Sequence, residues 1–443
     1  MMKKILAVLL AAATCLSMAA CSNSGSGNAD GGNDGEGTGD EKIVIWTLAE
    51  DLKDFATHYE EETGKEAEVV VIAPADYPTK LNTSLGSRSD EVDIIVGEPQ
   101  MLPDFFEAGF FADLSEFDAD AQEKLVDYVY EAGKDDDGIL RALSYQATPG
   151  SVIYRRDLAT EVFGTDDPAS IAQKFSSYDE ILKTAEELNK AGYSIFGDTG
   201  ALRWFANSDS PWVKDGALQM TDSRLGYLDA AVELYQKNYV AFAPEWSAAW
   251  YASMAGELPF NAGWSDLDEL DENAPTTQVF SYIMPSWGAL TIRDNAGDNK
   301  GKFGVCKGIS SFFGGGTFIG VNEFSGKKEA AKEFVKFCTL NEETSEWWID
   351  ASDGDVVSMK SVLEANKDYE NESFGNQKTY EFFLEEAQNV DYSLITRYDT
   401  AIGDAFGQAI EAVQKGEKDK DQALKDFYTE VQTVYPEIQI PEA

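Results

Sequence analysis

From residue 42 onward, apolar positions switch repeatedly between the spacing of a strand and that of a helix. Lys42-Ile43-Val44-Ile45-Trp46 predicts a short strand, and Leu52, Phe55, Ala56 and Tyr59 then recur on one helical face that Gly64 closes. Glu68 to Ile72 is β-branched and apolar, a second strand; Tyr77, Leu81 and Leu85 mark a second helix; Val92 to Val96 is a third strand running into Gly97-Glu98-Pro99. Strands alternating with helices predict parallel βαβ units in a doubly wound α/β sheet. Ligands bind such sheets beyond the carboxyl ends of the strands, here Trp46 to Asp51 and Gly97 to Gln100. Further on, Ala121 to Tyr130 is helical, and Ile139 to Tyr154 is extended but broken at Pro149-Gly150. Gly304 to Val321 is a second extended stretch, rich in glycine. Helical faces run over Tyr178 to Lys190 and Arg224 to Lys237, and from Lys328 the chain is mostly helical. There is no fixed-period repeat and no heptad pattern.

The first residues follow another logic. Lys3 and Lys4 precede an apolar run, Ile5 to Ala13, and small residues lead to Cys21. A basic head, a short apolar stretch and small residues before a cut read as an export signal over residues 1–20. Leu16-Ser17-Met18-Ala19-Ala20-Cys21 resembles a bacterial lipobox, with Met18 in place of the usual Leu. That resemblance implies lipidation of Cys21 and anchoring to the outer face of the cell membrane; an ordinary secretory signal cut at Ala20 is the plainer alternative. Residues 21–40 are nearly all Ser, Gly, Asn and Asp, too poor in apolar surface to offset their ordering entropy. They are expected to form a disordered tether reaching about 25 Å. No later stretch is long and apolar enough to cross a bilayer.

The chain carries 80 acidic and 35 basic residues, a formal charge of -45. Such a surface repels nucleic acid, whose binding depends on neutralising phosphates, and it favours a neutral or cationic ligand over an anionic one. There is one histidine, His58, so histidine-based zinc sites, Ser-His-Asp triads and Cys-His dyads have almost nothing to draw on. Outside the signal and Cys21, the cysteines are Cys306 and Cys338, either paired in an oxidising exterior or buried as free thiols. Gly314-Gly315-Gly316-Thr317 lacks the lysine of a phosphate-binding loop, and Asp135-Asp136-Asp137-Gly138 reads as a solvated turn. Neither a cofactor nor a metal is expected.

Several segments, in order and over the whole mature body, carry a family resemblance. They are Ile45-Trp46-Thr47-Leu48, Tyr77-Pro78-Thr79-Lys80-Leu81, Val92-Asp93-Ile94-Ile95-Val96, Phe111-Ala112-Asp113-Leu114 and Ala142-Leu143-Ser144-Tyr145. Val152-Ile153-Tyr154-Arg155-Arg156-Asp157-Leu158, Gly315 to Gly320 and Glu329 to Phe337 follow. Together they resemble family 1 extracellular solute-binding proteins, the sugar-capturing lipoproteins of ABC importers. The resemblance implies two α/β lobes with a ligand cleft between them: residues 41–147 plus about 311–355, and residues 148–310 plus about 356–443. It places crossings near Tyr145 to Pro149, Ser310 to Gly316 and Ala351 to Asp355. It also implies a monomer that binds a neutral mono- or oligosaccharide without covalent chemistry and delivers it to permease subunits in the membrane.

A sugar ring stacks its C–H face on aromatic rings and offers its hydroxyls to charged or amide partners. Trp264, in Asn261-Ala262-Gly263-Trp264-Ser265-Asp266, matches the family's Gly-x-Trp region and is the first candidate platform, with Asp266 beside it. Trp287, Trp204 and Trp46 are further candidates, each of which could instead pack a loop or a core. Glu50, Asp51 and Glu98 lie just past strand ends, although Asp51 could simply favour a helix N-terminus. Tyr145 lies at the first crossing, and Gly315 and Gly316 allow close backbone approach. Asp355, in Asp353-Gly354-Asp355, resembles a "TGD" segment late in the family. Two rivals remain: an exported glycoside hydrolase, since paired carboxylates can cleave glycosides, and the same binding fold with another cargo such as a polyamine.

Overall fold

The computed structural model describes residues 42–73, 76–207, 209–265 and 275–441. The signal, Cys21, the tether and Asp266 lie outside the described residues. The first sheet holds β1 (Ile43–Thr47), β2 (Ala67–Val71), β3 (Ile94–Gly97), β4 (Leu143–Ser144) and the strand Phe318–Val321, in the order β2-β1-β3-(318–321)-β4. β1 runs parallel to β2 and β3, with Ile45 opposite Val69 and Ile94, as the alternation of strand and helix predicts. Strand 318–321 returns antiparallel and sets Phe318 opposite both Gly97 and Ser144.

α1 (Leu52–Thr63) buries Leu52, Phe55, Ala56 and Tyr59, and Gly64 ends it in the left-handed conformation, its N–H bonded to Glu60. α2 (Tyr77–Gly86) buries Tyr77, Leu81, Ser84 and Leu85. The Tyr77 hydroxyl sits 2.9 Å from the Trp46 carbonyl and 2.7 Å from that of Val96, so it ties β1 to β3 just before both strands open into loops.

The second sheet has β5 (Gly150–Arg155) at its centre, flanked by Ser281–Pro285 and Phe303–Cys306. Both neighbours run antiparallel to β5, so the doubly wound parallel pattern belongs to the first sheet. Helices Tyr178–Lys190 and Asp222–Gln236 stand close to where the sequence pattern puts them, capped by Ser177 and Thr221. A second buried cluster joins Val152, Tyr154, Phe196 and Phe205 to Phe406 and Phe427 of the C-terminal helices. Cys306 and Cys338 are buried free thiols.

Two segments connect the sheets, and a third packs beside them. The one leading from β4 into β5 lies in the middle. On one flank Pro149 bridges to Phe313, and Gly150 N donates to Phe312 O at 2.7 Å. On the other, Gln146 bridges to Val357, Ala147 N donates to Val356 O, and Ser358 N donates to Tyr145 O, both at 2.8 Å. The third segment then stays with the first sheet, where Met359 bridges to Leu125.

Candidate functional site

The carboxyl ends of β1 and β3 open toward these connections. Asp51 precedes α1 yet makes no side-chain cap to it. Instead its Oδ2 accepts a 3.0 Å hydrogen bond from the hydroxyl of Tyr145 on the central connection. Burial pushes the Asp51 carboxyl above its ordinary range, against the opposing pull of the Tyr145 hydroxyl. Glu98, just past β3, is likewise raised by burial and hydrogen-bonded by Gln100. Neither Asp51 nor Glu98 has an ion-pair partner among the described residues, in a chain where most lysines are paired with acids. Glu50 differs: it is exposed and paired with Lys53.

Aromatic residues gather on the side of the second sheet. The Trp287 indole N–H donates to Gly314 O at 3.0 Å, and Trp246 stacks on Trp287 with centroids 5.5 Å apart and planes 26° apart. Trp246 is 50% exposed and holds a left-handed backbone, φ 70°, which costs energy for a bulky residue. Trp250 and Tyr251 pack around it. Trp204 stacks on Phe312 at 5.2 Å, and its buried indole N–H has no hydrogen-bond partner among the described residues. A side chain at Gly314 would come 2.2 Å from the Trp204 ring, so only glycine lets the connection pass. Gly315 and Gly316 continue in the left-handed region at φ 70° and 104°.

The two sides are continuous. Thr148 Oγ1 donates to Gly315 O at 3.3 Å, and Ser286 Oγ, next to Trp287, donates to Ala147 O at 2.9 Å. One run of contacts therefore leads from Asp51 through Tyr145 and the connections to Trp287 and Trp246.

The remaining candidates separate. Trp264 is 70% exposed in a loop whose Gly263 has φ 60°, so it is not a core residue. Trp46 is buried beneath Lys80, whose Nζ lies 4.0 Å from the ring centroid. Asp355 is 1% exposed and sits beside the connections, hydrogen-bonded by Gln146, Trp348 and its neighbour Val356. Sequence reasoning missed Trp246. It did carry the signal used for the other tryptophans, since it is a loop tryptophan between Glu245 and Ser247.

Two surface hollows lie away from this region. One of about 500 Å³ is lined by Tyr59, Lys124, Phe337 and Leu340, and one of about 510 Å³ by Leu228, Val232 and Val413.

A family profile described as bacterial extracellular solute-binding protein matches residues 54–374, and the chain belongs to that family. The fold agrees. A crystal structure of a family 1 extracellular solute-binding protein superposes with a TM-score of 0.73 at 20% identity, over 88% of this chain and 99% of that one. The ABC transporter associated binding protein from B. animalis subsp. lactis Bl-04, in complex with beta-1,6-galactobiose, gives 0.67 at 17% identity, over 90% and 99%. An ABC transporter solute-binding protein from Thermotoga lettingae, bound with alpha-D-tagatose, gives 0.68 at 18% identity, over 89% and 99%. No curated protein sequence matches the chain.

Proposed function

We propose that this solute-binding protein captures a neutral carbohydrate, an oligosaccharide by preference, for an ABC importer. In this reading it is a monomer, held by a lipid on Cys21 at the outer face of the cell membrane, and it hands its cargo to permease subunits. Residues 41–147 with the returning segment form one lobe and the second sheet with its helices the other. The lobes close on the sugar, because a ligand that contacts both shifts the equilibrium toward the closed form.

The observation that carries this reading is the pairing of two unlike surfaces across the connections. Asp51, Glu98 and Tyr145 are half-buried or buried acceptors and donors suited to sugar hydroxyls. Trp246, Trp287 and the unsatisfied indole N–H of Trp204 are suited to the C–H face and rim. Trp264 and Asp266 would extend that platform, and the backbone at Gly315 and Gly316 would approach the cargo closely. Glu50 and Trp46 stand further back, the one ion-paired and the other buried.

A second reading rests on the same carboxylates. Asp51 and Glu98 without cationic partners, beside tryptophan faces, also suit an amine such as a polyamine. Burial favours the uncharged carboxyls and so weighs toward the neutral cargo.

Thermal unfolding against a panel of neutral mono- and oligosaccharides, with amines alongside, tests the choice. A ligand at one hundred times its dissociation constant adds about 2.7 kcal/mol of stability. A sugar that raises the midpoint and is recovered unchanged supports the proposal. Amines shifting it while every sugar is silent would replace the cargo, and cleaved sugar would revive the hydrolase.

A further inference from the structure

The tryptophans on the side of the second sheet are tied into a circuit that begins and ends on one segment, the connection from strand 303–306 to strand 318–321. Phe312, on that connection, stacks on Trp204. Arg203, the preceding residue of the short helix Thr199–Phe205, lays its guanidinium 4.6 Å from the Trp204 ring centroid. Its Nη1 donates to Gly200 O at 3.1 Å, and its Nη2 pairs with Glu245 Oε2 at 2.5 Å. Glu245 precedes Trp246 in the chain, Trp246 stacks on Trp287, and the Trp287 indole N–H donates to Gly314 O. Gly314 lies two residues from Phe312, so the circuit closes. Its one ionic link is Arg203–Glu245.

Trp246 needs a link of this kind. Ser247 N donates to Pro244 O at 3.0 Å, closing a turn with Trp246 in its third position. A φ of 70° there is what glycine supplies in such a turn, and a bulky side chain strains it. After the ring, the backbone is fixed, because Ser247 caps helix Ala248–Ala255 and accepts from Trp250 N at 3.1 Å. Before the ring, Pro244 has no N–H to give, and the side chain that anchors the turn is that of Glu245. The ring itself is half exposed and gains its order from the stack on Trp287.

Arginine suits both of its contacts. Its planar fork pairs with a carboxylate while its face lies on an indole, and lysine offers neither geometry. The pair is partly exposed, so it adds little to global stability. Its consequence is local: it fixes the base of a strained turn and hence the direction of one ring. It also neutralises the Arg203 charge, which leaves the aromatic side suited to an uncharged cargo.

We propose that Arg203, through its pair with Glu245, is a positioning residue that holds the Trp246 ring on Trp287 as the platform for cargo. The proposal rests on the sugar-capture reading above. Without the pair the turn relaxes, and the ring leaves its stack.

The test uses the full chain labelled with fluorotryptophan and read by fluorine NMR. The lines of Trp246, Trp287 and Trp348 are assigned by changing each to Phe. Without cargo, Arg203→Gln should move the Trp246 line toward that of a solvated indole and shift the Trp287 line with it. The Trp348 line, from a buried ring beside Asp355, should stay in place, with the unfolding midpoint close to wild type. Glu245→Gln breaks the pair from the other end, should give the same changes, and serves if the first variant does not fold. Maltotriose, cellotriose and raffinose are the sugar probes. One that raises the unfolding midpoint should also move the Trp246 line. Its affinity should fall several-fold in Arg203→Gln, with no further loss when Arg203→Gln is added to Trp246→Ala. A Trp246 line that both pair-breaking variants leave in place overturns the proposal. Additive losses of affinity overturn it too, since Arg203 would then meet the cargo itself. A probe that raises the midpoint yet leaves the wild-type Trp246 line unmoved overturns the platform reading, and Arg203 loses its cargo role with it.

Discussion

Around the connections, the first sheet presents Asp51, Glu98 and Tyr145, and the second presents Trp246, Trp287 and Trp204. The contrast follows from how each side is built. Parallel strands end together, so the loops after β1 and β3 place two carboxyls at one edge, where Tyr145 comes in from the neighbouring connection. The antiparallel second sheet has no such edge. Its aromatic wall comes from loops and helix starts, held by an indole bond to Gly314 and by ring stacking. One side is placed by backbone topology and the other by side-chain packing. The acidic side should therefore tolerate conservative changes with little loss of stability, whereas changes on the aromatic side should cost stability and binding together.

Trp287→Ala is the most severe break. It removes a half-buried ring, its stack with Trp246 and its bond to Gly314, and should cost about 2–4 kcal/mol of stability by denaturant titration, with sugar binding lost as well. A mild effect would mean the aromatic wall does not depend on packing.

The pH profile sharpens the contrast on a similar scale. Asp355 beside the connections and Asp399 at the start of helix Asp399–Gln414 are both pushed up to about 6 by burial. Folded values above unfolded ones mean that the fold holds extra protons between about pH 4 and 6. Their contribution is complete below the unfolded values and is lost as pH rises through 6, on the order of 2–3 kcal/mol per group. Asp399→Asn should flatten its share of that slope in a thermal midpoint series, leaving the share of Asp355.

Asp51→Asn keeps shape and removes the charged acceptor. Sugar affinity should fall by about 1.5–3 kcal/mol, the scale of hydrogen bonds to charged groups, with an unfolding midpoint close to wild type. A gain in affinity for neutral sugars together with lost amine binding would favour the polyamine reading. Trp264→Ala should give the smallest effect: stability within about 0.5 kcal/mol, as befits an exposed ring, and binding weaker by about 1 kcal/mol.

The first half of the fold was legible because its elements are local. Strands 43–47 and 67–71, the faces of α1 and α2, and helix 178–190 follow from spacing and caps alone. The antiparallel second sheet was not, because its partners lie more than a hundred residues apart and their pairing leaves no periodic trace. The acidic candidates shared that legibility, since strand ends can be read from runs of β-branched residues. Asp355 could be singled out by its glycine-flanked segment, but its engagement by Gln146 spans 209 residues of sequence and turns an exposed-looking carboxylate into a buried one. The stack of Trp246 on Trp287 is equally non-local.

Calorimetric titration of the wild type and Trp246→Ala with the sugar that most raises the unfolding midpoint tests the central claim most directly. Trp246 is half exposed, so its loss should leave the fold intact. The account predicts a tenfold or greater loss of affinity, the scale of one aromatic contact with its buried area. Equal affinity in the two proteins would contradict it and move the sugar away from the junction of the acidic and aromatic sides.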